Sequence, residues 1–258
     1  MGNKIRVGLI GYGKAGYAVA NVFSNDPRYE LRWIARANIS KEAQYHPHTT
    51  IPVLSTNKYS FKELIEQSEV DALVDFSNSG SLREYGEIVR EKGVTLLSAV
   101  SNYSREELEY AQELAENARV LCSPNMTLGI NFLIVAARML RRIAPFADVE
   151  ILEQHFREKP EISGTARKIA NMLEIDDERI TSLRLGGIVG HHEVIFGFPH
   201  QTVRLTHESI RREAFGTGAA FVLERLSKCK IGFYSFEEIL QGLISEEFMH
   251  ANYDNLGA

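Results

Sequence analysis

The 258-residue chain is short of the residues that staple or interrupt a fold: it has two cysteines, one tryptophan and seven prolines. Cys122 and Cys229 cannot build a disulfide framework, and neither stands in a metal-binding spacing. That excludes a disulfide scaffold and points to thiols in a reducing compartment. A basic excess is also lacking. The net charge of −5 argues against a nucleic-acid or membrane-surface binder, while leaving room for a local basic pocket around a small anion. No apolar run approaches the length of a membrane span. Ile5 to Ile10 is too short for the core of a signal peptide and runs into glycines, so the expected compartment is the cytoplasm. There is no internal repeat and no low-complexity stretch. What is present is an ordinary globular composition, 44% hydrophobic and 24% charged, enough for one large or two small cores.

The hydrophobic pattern alternates between strand and helix in the first half. Residues 5–10 read as a buried strand, 15–23 as a helix and 30–36 as a second strand, which makes a βαβ unit. The polar stretch 39–60, with Pro47 and Pro52, reads mainly as loop. The rhythm then resumes: helices over 61–67, 82–92 and 105–117 alternate with strands over 72–76, 94–99 and 119–123. This predicts an α/β fold, a doubly wound parallel sheet with helices on both faces. From Gly129 the pattern changes. Helices over 130–143 and 163–173 flank a strand at 149–154, and strands at 180–185, 193–198 and 202–207 follow without helices between them, which favours antiparallel pairing. Helices over 214–227 and 236–243 close the chain. The expected organisation is a first domain over 1–127 and a second, α+β domain with a mixed or antiparallel sheet over 128–213.

Gly11-Tyr12-Gly13-Lys14-Ala15-Gly16 is G-x-G-x-x-G, placed after a strand and at the opening of a helix, the context in which it binds a dinucleotide. Gly11 permits the tight turn, Gly13 lets the backbone approach a pyrophosphate, and Gly16 lets helix and strand pack closely. The acid that usually follows the second strand, to hold a ribose hydroxyl, is missing: the chain reads Ile34-Ala35-Arg36-Ala37-Asn38. An arginine pairs with a 2′-phosphate where an acid repels it, so Arg36 favours NADPH over NADH, against the plain reading of a solvated arginine. Asp75, with Ser77, closes a strand; it faces either a cofactor ribose or the cap of the next helix, and the cap is the simpler reading.

The segment Glu153 to Thr165 is the other informative stretch. It leaves a strand and ends at Ser163, a helix N-cap, after which Gly164 and Thr165 present backbone N–H groups to a carboxylate. His155 and Lys159 stand close by; either can donate a proton, and lysine also holds an anion. The residues alone describe either a pocket for a small anionic substrate or a charged surface loop. His191 and His192 have only Glu193 as a neighbouring ligand, so no metal is expected there.

At this point the chain resembles the dihydrodipicolinate reductases, which carry E-x-H-H-x-x-K-x-D-x-P-S-G-T here. Glu153, His155, Lys159, Ser163, Gly164 and Thr165 match that run. The resemblance extends through Val74-Asp75-Phe76-Ser77, the hinge-like Ser123-Pro124-Asn125-Met126-Thr127-Leu128-Gly129, Gly186 to Val194, His207 with Arg212, Phe215 and Gly218, and the tail Gly232-Phe233-Tyr234. It implies reduction of a cyclic imine dicarboxylate with NADPH or NADH, in lysine and diaminopimelate biosynthesis. It makes His155 and Lys159 the proton-donating pair and gives a substrate carboxylate to Gly164 and Thr165, beside Ser163. The cofactor would lie against the fingerprint, Ser98, Ala99 and Val100, and Ser123, Pro124, Asn125 and Met126. It further implies a homotetramer built on the second domain and a C-terminal segment, about 214–258, that joins the first.

Four departures bear on the substrate, one of them a shortening of the insert before the Gly-Gly strand to about residues 174–179. The family's second histidine, a substrate contact, is Phe156. The run from lysine to serine is one residue shorter. The family's G-T-T-G loop is Ser98-Ala99-Val100-Ser101. They leave two other readings in play: a paralogue reducing another small imine or 2-oxo acid, and a silent dinucleotide-binding regulator, the latter opposed by the retained His155 and Lys159.

Overall fold

The computed structural model describes residues 3–38 and 44–254, so the start of the polar stretch expected to be loop, 39–43, lies outside the described residues. The chain forms two compact units. One comprises the residues up to Thr127 together with Phe215–Ile239; the other comprises Leu128–Ala214 and the residues from Leu240 on.

In the first unit, strands β1 (Ile5–Ile10), β2 (Tyr29–Arg36), β3 (Gln44–Tyr45), β4 (Pro52–Ser55), β5 (Ala72–Asp75), β6 (Thr95–Ser98), β7 (Arg119–Cys122) and β12 (Gly232–Tyr234) form one sheet in the order β12-β7-β6-β5-β1-β2-β4-β3. All pairs are parallel except β3 with β4 at the edge. The chain builds outward from β1 to β2 and β4, then returns to β5 on the other side, so β1 and β5 flank the topological switch point, where α/β sheets take their ligands. The parallel sheet is as expected. The stretch 39–60 holds two short edge strands as well as loop, and β12 is a strand that three residues were too few to announce.

The connecting helices are α1 (Lys14–Asn25), α2 (Phe61–Gln67), α3 (Ser81–Lys92) and α4 (Arg105–Leu114). Capping boxes open two of them, Ser60 with Glu63 and Ser104 with Glu107, each satisfying two otherwise orphaned N–H groups. Their buried faces, among them Leu64, Leu82, Tyr85 and Leu114, pack with Trp33, Leu73 and Leu96 of the strands into one core.

In the second unit, α5 (Leu128–Ile143), β8 (Asp148–His155), α6 (Gly164–Leu173), β9 (Ile180–Arg184), β10 (His191–Phe198) and β11 (Gln201–Glu208) form a four-stranded sheet, order β11-β10-β8-β9, with two helices against it. The antiparallel pairing expected for 180–207 holds for β10 with β11 and with β8, but not for β9, which runs parallel to β8 at the edge. The physical reason is α6. A helix between two strands returns the chain to the same end of the sheet, which makes β8, α6 and β9 a parallel βαβ unit. The remaining helices are α7 (Glu213–Leu226) and α8 (Phe236–Asp254), the latter longer than its sequence pattern suggests.

The helix-facing side of this sheet is ordered in rows. Ile180, Ile151, Val194 and Leu205 are register partners; the first three belong to the buried core of the unit and Leu205 packs against it. The next row on the same face, two residues along each strand, is Ser182, Glu153, His192 and His207. An apolar core thus gives way to a polar row within one step of the sheet.

The fingerprint glycines differ in what surrounds them. A Cβ on Gly16 would lie 2.1 Å from the Gly11 carbonyl oxygen, whereas a Cβ on Gly13 would meet nothing within 4 Å. Gly16→Ala is therefore expected to destabilise by about 1–3 kcal/mol, the usual cost of overpacking. Gly13→Ala should cost clearly less. Chemical denaturation of the two variants checks this, and equal midpoints would contradict it.

Candidate functional site

On the first unit the register places Ala35, Ile10, Asp75, Ser98 and Cys122 in one row across the sheet. The residues that follow each of them, namely the fingerprint, Arg36, Ser77, Ala99 with Val100, and Ser123, therefore lie along one edge, at the C-terminal ends of the parallel strands. Gly11 has φ +92°, a left-handed conformation natural only for glycine. A Cβ there would also strike the Phe76 carbonyl at 2.5 Å. Gly13 precedes α1 with no side-chain cap, and the first turn of the helix carries no acid. The first N–H groups of α1, from Lys14, Ala15 and Gly16, thus point past an open glycine, an arrangement that fits a pyrophosphate.

Arg36 ends β2, half-buried, and makes no ion pair among the described residues. Burial raises the Tyr12 phenol above its ordinary pKa, and the Arg36 charge opposes the shift. Tyr12 shares a 2.7 Å hydrogen bond with Nδ1 of buried His46, and the Tyr17 ring lies 5.6 Å from that of Tyr12 and 5.4 Å from that of His46. Nothing in the polar stretch around His46 marked it for this place.

Asp75 is fully buried and its carboxylate is committed inward. One oxygen accepts from the Ser77 N–H at 2.8 Å and from its hydroxyl; the other accepts from Tyr85 at 2.6 Å. It caps the turn that follows β5 rather than helix α3, whose N-cap is Gly80. Ser98, also buried, spends its hydroxyl on Tyr103 at 2.9 Å, leaving Ala99, half-buried, and Val100, buried, as its neighbours in the loop. In the hinge-like segment the Ser123 hydroxyl donates to the Asn125 carbonyl at 2.9 Å, and the Asn125 side-chain oxygen accepts from the Thr127 N–H at 3.0 Å. Pro124 is exposed and Asn125 half-buried, while Met126 is fully buried.

The second unit gathers the other residues around one carboxylate. Glu153, with no exposure, accepts from Arg184 at 2.8 and 3.0 Å, from the Ser182 hydroxyl at 2.7 Å, from the Ser163 N–H at 3.2 Å and from His155 Nδ1. Burial alone would raise its pKa; hydrogen bonds from Arg184, Ser182, His155 and Ser163 outweigh burial and hold it at about 2. Because Glu153 is ionised, the hydrogen of the imidazole sits on Nδ1, and Nε2 is the atom left to exchange a proton. Nε2 faces Gly190, where a Cβ would come within 3.3 Å. Burial lowers the His155 pKa below its ordinary value; Glu153 opposes this, and the charges of Lys159 and Arg184 add to it.

Ser163 is the N-cap of α6, but its hydroxyl does not cap the helix. It is 2.9 Å from Nε2 of His192, an imidazole that burial brings down to about 3 and whose ring lies edge-on to that of His155 at 5.3 Å. Gly164 is exposed, with nothing within 4 Å of where a Cβ would stand, and Thr165 beside it is half-buried. Lys159 sits on the loop between β8 and α6, its carbonyl taken by Arg184 at 3.0 Å. Phe156, half-buried, brings no side-chain donor where the family has its second histidine. Thus His155 and Ser163 at the start of α6 come together on Glu153, and the Lys159 charge bears on His155.

Sequence reasoning missed Ser182, Arg184 and the role of His192. Among the described residues no three His, Cys, Asp or Glu side chains are grouped to hold a metal ion, and no helix is long and apolar enough to cross a membrane.

Comparison with known proteins identifies the family. Residues 5–126 match the family described as dihydrodipicolinate reductase, N-terminus, and residues 126–240 match dihydrodipicolinate reductase, C-terminus. The 4-hydroxy-tetrahydrodipicolinate reductase of Thermosipho africanus is 29% identical over 239 residues, covering 92% of this chain and 98% of its own length. That of Caldanaerobacter subterraneus subsp. tengcongensis is 28% identical over 251 residues, covering 89% and 95%. Among solved structures, a dipicolinate-bound dihydrodipicolinate reductase from Paenisporosarcina sp. TG-14 shares the fold with a TM-score of 0.77 at 22% identity, over 90% of this chain and 98% of that one. With both halves matched end to end, the chain belongs to the dihydrodipicolinate reductase family of nicotinamide-dependent oxidoreductases of lysine and diaminopimelate biosynthesis.

Proposed function

We propose that the protein reduces a cyclic imine dicarboxylate, dihydrodipicolinate to tetrahydrodipicolinate, with NADPH as the preferred donor, in the cytoplasm. The observation that carries the reading is the Glu153–His155 pair set beside the opening of α6. The dipicolinate bound by the Paenisporosarcina reductase is a planar ring with two carboxylates, the kind of anion such a helix start and Lys159 would hold.

NADPH, when bound, would supply a hydride to a carbon of the conjugated imine ring. Gly11, Gly13 and the N–H groups of Lys14, Ala15 and Gly16 would hold its pyrophosphate and Arg36 its 2′-phosphate, with Tyr12 beside them. Ser98, Ala99 and Val100, together with Ser123, Pro124, Asn125 and Met126, make up the rest of the cofactor side. The second unit's task is the proton. A neutral imine is a poor hydride acceptor, so a proton delivered to the ring nitrogen lowers the barrier. Gly164 and Thr165 hold one carboxylate, with Lys159 and Ser163 beside them, and Phe156 packs on the ring. In the free protein burial lowers the His155 pKa, which favours the neutral imidazole. A dianionic ring next to it raises its pKa, and Nε2–H of the resulting imidazolium, with Lys159 at its side, is the proton source. Phe156 and the inward Ser98 hydroxyl favour a second reading, reduction of a different small imine by the same machinery. The four-stranded sheet, which among the described residues packs its core against α5 and α6 on one face, supports a homotetramer built through this unit.

Three outcomes follow. His155→Ala and Lys159→Ala should each lower kcat about 10²–10⁴-fold with NADPH affinity unchanged, the lysine change also raising KM; steady-state kinetics with NADPH titration decide, and parental turnover in both would contradict the assignment. Arg36→Glu should narrow or reverse the preference for NADPH over NADH in fluorescence titrations, whereas an unchanged ratio would remove Arg36 from the cofactor site. For pH, a proton donor must be charged to act, so kcat/KM, which reports the free protein, should fall as pH rises through a midpoint below the ordinary 6.5 of histidine. The corresponding fall in kcat should come at higher pH. Coincident profiles would show that substrate does not raise the pKa of His155.

A further inference from the structure

We propose that Arg184 is a positioning residue: its guanidinium fixes His155 through Glu153 and fixes the Lys159 loop through two main-chain carbonyls, so that one side chain sets the two proton-handling groups relative to each other. The proposal rests on the reductase reading for what the two groups do, and on geometry alone for how they are held.

Arginine has five N–H donors, and here every one has an acceptor. Nε donates to the Lys159 carbonyl at 3.0 Å. Nη1 donates to Glu153 Oε2 at 3.0 Å and to the Leu183 carbonyl at 2.9 Å. Nη2 donates to Glu153 Oε1 at 2.8 Å and to the Glu161 carbonyl at 2.7 Å. The two bonds to Glu153 form a fork on a carboxylate with no exposure, while the bonds to Lys159 and Glu161 reach a loop, 156–163, that has no helix or strand of its own to hold it. Arg184 thus gives two main-chain carbonyls of this loop, those of Lys159 and Glu161, a partner on β9. This is the stretch that is one residue shorter than the family pattern, where the spacing between His155 and the start of α6 has least slack.

Lysine cannot replace this. It has three donors on one nitrogen and no planar fork, so it can keep the charge but not span a carboxylate and two carbonyls. That separates the two things Arg184 does. Four groups face His155: Glu153 on its own strand, Lys159 from the loop, Arg184 from β9 and His192 from β10. The Arg184 charge works against protonation of His155, so its removal should let the imidazole take up a proton at higher pH.

The test compares full-length Arg184→Met and Arg184→Lys with the parent, using Ser182→Ala as a control that removes one hydrogen bond to Glu153 and leaves the loop clamp intact. Histidine-resolved NMR titration of the free proteins should show the His155 midpoint raised in Arg184→Met and near parental in Arg184→Lys and Ser182→Ala. Amide resonances of 157–163 should shift and broaden in both arginine variants but not in the control. With dihydrodipicolinate, both arginine variants should lose about 10–10²-fold in kcat, the scale of a small misplacement, with NADPH affinity unchanged. Parental loop resonances in Arg184→Lys, or parental kcat and KM in either arginine variant, would overturn the proposal. If Arg184→Met does not fold, Arg184→Lys decides by the same loop and kinetic criteria. A parent that turns over no imine would end the reductase reading, while the NMR measurements would still decide whether Arg184 holds the loop.

Discussion

A carboxylate taken fully out of water must be paired and hydrogen-bonded, or the unit that buries it does not hold together. Glu153 meets that demand with partners from three elements: a guanidinium and a hydroxyl from β9, the backbone N–H at the start of α6, and the imidazole two residues along its own strand. Each partner is thereby tied to the others. The edge strand cannot slip without stranding Ser182 and Arg184, the helix cannot rotate without losing Ser163, and the imidazole cannot flip without giving up Nδ1. The same bonds that satisfy the buried charge hold the residues assigned to the proton.

The first unit works by the opposite means. Its edge is built from backbone and small residues: a left-handed glycine, a turn that a carboxylate closes from inside, and strand ends aligned in register. Asp75, Ser98 and Tyr103 spend their polar atoms on the interior. The rim therefore offers N–H groups, Arg36 and short side chains to a ligand. Gly13 is the clearest opening on this rim, with nothing within 4 Å of where a Cβ would stand.

Much of this was legible in the sequence because local pattern and tertiary role coincide. The alternation through residue 123 is a parallel sheet seen from inside, and G-x-G-x-x-G between strand and helix leaves few alternatives. The run from Glu153 to Thr165 announced its strand end and helix start together. What was not legible depends on which strands become neighbours. Ser182 and Arg184 look like ordinary polar positions of an edge strand. Reading β8, α6 and β9 as a parallel crossover would have set them opposite Glu153 and His155, at the same spacing of two. His46 lies within the polar stretch read mainly as loop, and its meeting with Tyr12 depends on edge strands too short to carry a hydrophobic period.

The central claim is that this chain moves a hydride to a carbon of a ring that its second unit protonates. Isotope transfer tests it most directly: NADPH carrying deuterium at the transferring position is incubated with the protein and freshly generated dihydrodipicolinate, and the product is examined by mass spectrometry. The account predicts a tetrahydrodipicolinate that contains the label in proportion to the NADPH consumed. An unlabelled product, or NADPH that binds and is never consumed, would contradict it.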